Sequence, residues 1–218
     1  MDSLTRNQLV WLDPAAWVQM EAHHWDEQAK EILALWRTQR LPLVVCRQCP
    51  ETPPELLCVG LPAPQQWSRR RLALTVRLDH LTARDNFPAL LQVVQANQWG
   101  AAALELSESL AALGVQAHVY GSHGWQWLTG RAYVHDASDL DLSVLVHSLA
   151  QATEVIKQLA STALHCRIDG EIVFPKGQAI AWRELQQLLL GQTSQVLLKG
   201  RHTLRLAALE EVRLMAGL

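Results

Sequence analysis

The stretch that decides the reading is His118-Val119-Tyr120-Gly121-Ser122, followed after a gap by Ser138-Asp139-Leu140-Asp141-Leu142. Residues 115–120 are apolar and β-branched enough for a strand, and it runs directly into Gly121-Ser122. Residues 140–147 form a second strand by the same pattern. Side chains alternate along a strand, so Asp139 and Asp141 emerge on one face with Cα atoms about 7 Å apart, while Leu140 and Leu142 point into a core. Two carboxylates held that close repel unless a cation lies between them, and oxygen donors of this kind suit magnesium. An Asp-x-Asp at a strand start is also a common solvated turn, so context has to carry the assignment. The context is Gly121, which permits close backbone approach, and Ser122, whose hydroxyl and neighbouring N–H groups can meet phosphate oxygens.

Outward from this pair, residues 149–163 read as a helix and residues 164–174 as a third strand. A helix over 179–190, a short segment over 196–199 and a last helix over 203–215 follow. Upstream, residues 88–113 suit one helix or two abutting helices broken at Gly100, with Gly114 as the stop and Asp85 or Asn86 as the cap. The order is a mixed sheet with helices packed on it. Before residue 80 the pattern changes to an aromatic helical stretch over 15–40, then short strands at 42–46, 55–60 and 71–78 separated by prolines. The expected fold is α+β, with a small N-terminal α+β domain over 1–82 and a mixed-sheet domain over 83–218.

The strand over 164–174 carries Asp169 and Glu171, which share a face by alternation. Either can add a third carboxylate; Asp169 is favoured, because aspartate is poorly suited to strand interiors. Asp169-Gly170 is equally a hairpin signal. Lys199 and Arg201 bracket Gly200, and Arg131 follows Gly130; each can hold phosphate oxygens or stand as a solvated loop charge.

The chain has 218 residues, 49% of them hydrophobic and 18% charged. Its net charge is −2, so there is no overall positive field to favour nucleic acid or an anionic membrane. No apolar run approaches the roughly 20 residues of a membrane span. The start, Met1-Asp2-Ser3-Leu4-Thr5-Arg6, lacks the pattern of a secretory signal, so the cytoplasm is the expected compartment. Cys46, Cys49, Cys58 and Cys166 are unevenly spread and read as reduced thiols; Cys46 and Cys49 have no second pair to complete a zinc site. Trp125, Trp127 and Trp182 lie near the acid pair in sequence and can stack on a base or fill the core, and His123 can line the same site or be structural. Arg69-Arg70-Arg71 beside Trp67 is the densest basic run, a docking surface for an acidic partner or simply solvated charge.

The apolar strand, Gly121-Ser122, helix and Ser138-Asp139-Leu140-Asp141-Leu142 resemble the nucleotidyltransferase superfamily that includes DNA polymerase β. There the Gly-Ser pair binds triphosphate and the paired acids bind two magnesium ions. The gap from Ser122 to Asp139 is longer than that superfamily usually shows. A closer resemblance covers most of the chain. It rests on residues 120–130, on residues 138–142, on Asp169-Gly170-Glu171 and on Ala181-Trp182-Arg183-Glu184-Leu185. These are similar to the malonate decarboxylase holo-acyl-carrier-protein synthases, or phosphoribosyl-dephospho-CoA transferases. The resemblance implies a polymerase β-like C-terminal sheet, magnesium on Asp139 and Asp141 with a third carboxylate on a neighbouring strand, here Asp169, and phosphate at Gly121 and Ser122; Lys199 and Arg201 are further phosphate contacts suggested by their own charge. It implies transfer from 2′-(5″-triphosphoribosyl)-3′-dephospho-CoA to a serine of the apo acyl carrier protein of malonate decarboxylase, releasing pyrophosphate. Two other readings stay open: a nucleotidyltransferase using ATP or CTP on a small molecule or RNA, and a non-catalytic module that docks the carrier protein.

Overall fold

A computed structural model describes residues 4–217 and shows an α+β protein with two sheets. Met1 to Ser3, where the reading of the N-terminus began, lie outside the described residues. No helix among the described residues is long and apolar enough to cross a membrane.

The first region runs β1 (Leu9–Leu12), α1 (Pro14–Glu21), α2 (Glu27–Gln39), β2 (Leu43–Val45), β3 (Leu56–Pro62), β4 (Arg71–Arg77) and β5 (Leu81–Asp85). The helical stretch expected over 15–40 is two helices, because two aspartates start them. Asp13 accepts from the Ala16 N–H at 2.8 Å and Asp26 from the Ala29 N–H at 2.9 Å. The strands lie in the order β4-β3-β2-β1-β5, every pairing antiparallel. In β4 alternation is strict, with Leu72, Leu74 and Val76 buried and Arg71, Ala73, Thr75 and Arg77 exposed. The buried face packs on Ile32, Leu33 and Trp36 of α2, and the Trp36 indole N–H donates to the Pro42 carbonyl at 3.0 Å. Sequence reading did not resolve β1 and β5, and it placed Asp85 and Asn86 at a helix start. Asp85 instead ends β5, and the next helix begins after Ala89.

The second region runs α3 (Leu90–Asn97), α4 (Ala101–Ala112), β6 (Gln116–Tyr120), α5 (Gly121–Thr129), β7 (Leu140–Leu145), α6 (Leu149–Ser161) and β8 (Ile168–Phe174). Then come β9 (Gln178–Ala181), α7 (Trp182–Leu189), β10 (Gln195–Lys199), β11 (Leu204–Ala208) and α8 (Leu209–Met215). Two expected helices are shorter than read, since residues 178–181 and 204–208 are strands. β9 lies inside the sheet between β8 and β10 and β11 lies at its edge beside β10, and each run is too short for periodicity to tell strand from helix. The order is β11-β10-β9-β8-β7-β6, and β7 with β8 is the parallel pair. Parallel neighbours need a crossover, and α6 supplies it, capped by the Ser148 hydroxyl accepting from the Gln151 N–H at 3.1 Å. Leu140, Leu142 and Val144 of β7 bury completely against Ala152, Val155 and Ile156 of α6. The other face of β7 and β8 turns toward the first region. There Phe87, Trp125 and Tyr133 belong to the first core, and the Tyr133 hydroxyl donates to the Pro62 carbonyl at 2.8 Å.

Candidate active site

The sheet register assembles the acids. Tyr120 of β6 stands opposite Asp141 of β7, and Asp141 stands opposite Asp169 of β8. Asp139, two residues earlier, shares their face by alternation. Glu171 lies two residues beyond Asp169, opposite Ser143. Four carboxylates therefore sit on one face of two neighbouring strands. Gly170 lets those strands approach: its φ is +125°, and a Cβ there would lie 1.9 Å from the Leu142 carbonyl oxygen. The strand continues through Asp169-Gly170, so no hairpin forms there.

Gly121 follows β6 immediately and opens α5. Its φ is +62°, and a Cβ would fall 1.9 Å from Asp141 Oδ2, so only glycine leaves the carboxylate room. Ser122, next on the helix, is half-buried.

Charge on this face is unevenly compensated. Arg167, not singled out from the sequence, donates to Asp169 at 2.6 Å and lies 3.1 Å from Asp139. Its position was legible in retrospect, because it precedes Asp169 by two and so emerges on the same side. Glu171 is 6% exposed and is held by Lys199 at 2.9 Å and by Arg6, which arrives from the N-terminal segment. Among the described residues Asp141 has no cation paired with it. Burial, then the charges of Asp169, Asp139 and Glu171, push its carboxyl up to about 6, with Arg167 opposing them. Burial, then Glu171 and Asp141, also push the neighbouring Tyr120 hydroxyl far up.

As donors the acids fit a hard divalent ion, being carboxylate oxygens on one face with a charge deficit centred on Asp141. Among the described residues no three metal-binding side chains converge around one point in this arrangement. The positive charge there is the Arg167 guanidinium, whose side chain is 58% exposed.

Not every residue expected near the acids lies there. Lys199 does, but through Glu171. The Arg201 carbonyl accepts from the Gln48 N–H at 2.7 Å, and the Arg201 Nε is buried without a partner among the described residues, as is that of Arg131. Trp125 packs among Trp36, Phe87 and Tyr133 in the first core, and Trp182 fills the second core with the Arg183 guanidinium 4.2 Å above its ring. Neither ring is free to stack on a base, whereas Trp127 is 42% exposed. His123 is buried edge-on to Trp99, with ring centroids 4.9 Å apart, and burial lowers its pKa. All four cysteines are free thiols.

The chain matches the family model of the phosphoribosyl-dephospho-CoA transferase MdcG N-terminal domain over residues 5–87 and that of the C-terminal domain over residues 72–210. A phosphoribosyl-dephospho-CoA transferase of Bradyrhizobium diazoefficiens is 33% identical over 207 residues, covering 90% of each chain. One of Xanthomonas axonopodis pv. citri is 35% identical over 211 residues with 92% of each covered, and one of Pseudomonas putida is 32% identical over 213 residues with 95% of each covered. No solved structure matches the chain. The class defined in this way is a transferase. The chain belongs to the phosphoribosyl-dephospho-CoA transferase family.

Proposed function

We propose that this enzyme transfers the phosphoribosyl-dephospho-CoA group from 2′-(5″-triphosphoribosyl)-3′-dephospho-CoA to a serine of the apo acyl carrier protein of malonate decarboxylase, in the cytoplasm. The serine oxygen forms a bond to the α-phosphorus while the bond to pyrophosphate breaks. The observation that carries the reading is the row Tyr120, Asp141, Asp169 across three strands, flanked by Asp139 and opening on Gly121-Ser122.

Asp139, Asp141 and Asp169 would hold magnesium once the exposed Arg167 side chain withdraws or moves onto phosphate. Two bound magnesium ions would lower the pKa of the attacking hydroxyl and offset the charge on the leaving pyrophosphate. Everything else falls to the chain. Gly121 keeps side-chain bulk off Asp141, and the Ser122 hydroxyl would donate to a phosphate oxygen. Lys199 and Arg6 hold positive charge beside the acids through Glu171. Arg201 would complete the phosphate-binding side from the loop after β10.

Mass spectrometry of the apo carrier protein, after incubation with the triphosphoribosyl substrate and magnesium, tests the reading. A mass gain equal to the phosphoribosyl-dephospho-CoA group on one serine is expected. Gain of a simple adenylyl or cytidylyl group from ATP or CTP would replace this substrate, and no covalent change with tight carrier binding would replace the enzyme with a docking module.

A further inference from the structure

The sheet face that carries the acids continues past them. Ser143 follows Asp141 at period two on β7, Val173 follows Glu171 on β8, and His118 precedes Tyr120 on β6. These side chains floor a cavity of about 460 Å³, walled by residues 5–8 of the N-terminal segment and by residues 175–177. Its floor therefore begins one side-chain repeat, about 7 Å, from Asp141.

Three features of the cavity bear on its ligand. Its volume lies in the range of small-molecule and cofactor sites. Lys176 and Arg6 line it and no aspartate or glutamate does; Arg6 is bound to Glu171, so Lys176 is the cation the cavity offers directly. Two buried polar atoms on its lining residues have no partner among the described residues, Arg6 Nε and His118 Nε2. His118 Nδ1 lies 2.7 Å from the Phe87 carbonyl, which can only accept, so Nδ1 carries the hydrogen. Nε2 of the neutral ring is then an acceptor. The walls thus carry Lys176 for a phosphate and, on His118, a buried acceptor left without a partner among the described residues.

We propose that this cavity takes the dephospho-CoA part of the substrate while the triphosphoribosyl end lies over the acid row. Dephospho-CoA presents both complementary groups, a diphosphate for Lys176, with the Glu171-bound Arg6 beside it, and the N–H of its adenine amine or amide arm for His118. The assignment rests on the function proposed above, and it makes the N-terminal segment, through Arg6, a wall of the substrate site.

The test uses 3′-dephospho-CoA itself, titrated calorimetrically into the full chain without added metal, so that neither catalysis nor a triphosphate is involved. Binding is expected, weakened about tenfold in Lys176→Asn, which removes the charge while tolerating the left-handed backbone at that residue (φ 65°). Ser143→Phe, which fills the floor, is expected to weaken it further. Absence of binding to the unaltered chain, or equal affinity in both variants, overturns the proposal. A chain that binds dephospho-CoA as described but leaves the carrier protein unmodified would sink the proposed function and leave the cavity standing. Carrier modification with binding untouched by both variants would do the reverse.

Discussion

The two sheets treat charge in opposite ways. In the first region ion pairs stand in water: Arg70 with Asp26 at 2.6 Å, the side chains 32% and 58% exposed, and Arg77 with Asp79 at 2.6 Å, 49% and 61% exposed. Arg70, then the Ala29 N–H, hold the Asp26 carboxyl down to about 2. Such pairs cost little to form and contribute little. In the second region four carboxylates crowd one half-covered face, Glu171 almost wholly buried and Asp141 with its carboxyl pushed up rather than down. Burying like charges together is unfavourable, so the arrangement is maintained against the stability of the sheet. The first sheet is built the way stability alone would build it, and the second is compromised where the chemistry is proposed to occur.

The largest effect that would sharpen this contrast is expected from Asp141→Asn. Transfer should fall by roughly a thousandfold or more, while the melting temperature stays level or rises, because the change removes a repelled charge and keeps the shape. Carrier modification followed by mass spectrometry and a thermal melt would read the two. Near-normal turnover would remove Asp141 from the chemistry, and a sharp drop in melting temperature would show that the acid row stabilises the sheet.

Glu171→Gln tests the same difference through stability. It strands Arg6 and Lys199, 19% and 28% exposed, against a neutral amide, and should cost about 3 kcal/mol, the low end for a broken buried pair because both cations keep some water. Asp26→Asn in the first region should cost far less, since asparagine still caps α2 and Arg70 returns to solvent. Denaturant unfolding of both variants compares them directly. Equal losses would erase the distinction between the regions.

The smallest effect is expected at the basic run. Arg70 is occupied by Asp26 and Gln28, but Arg69 and Arg71 are exposed on the first region. If that surface meets an acidic carrier protein, Arg69→Glu with Arg71→Glu should raise the apparent KM for the carrier roughly threefold and blunt its salt dependence, leaving the dephospho-CoA substrate unaffected. Kinetics at two ionic strengths would show it. Equal losses toward both substrates would move these arginines to the phosphates, and no change would leave them as surface charge.

What the sequence determined by itself is what depends on near neighbours. Alternation alone puts Asp139 with Asp141 and Asp169 with Glu171 on shared faces, and Gly121 after an apolar strand marks a close approach. The strand starting at Leu140 and the helix starting at Leu149 were legible because each carries its own period and caps. Strands β1, β5, β9 and β11 were not, since a run of four or five residues is too short to carry a clear period and becomes a strand only when a partner supplies its hydrogen bonds. Tertiary structure alone decided that β7 and β8 run parallel in a register that brings Asp169 opposite Asp141. It also decided that Arg167 bridges Asp139 and Asp169, and that Arg6, 165 residues away in sequence, meets Glu171. Side-chain alternation is fixed within one strand, whereas strand order and register are fixed by which faces can be buried together, and that is settled only when the whole sheet packs.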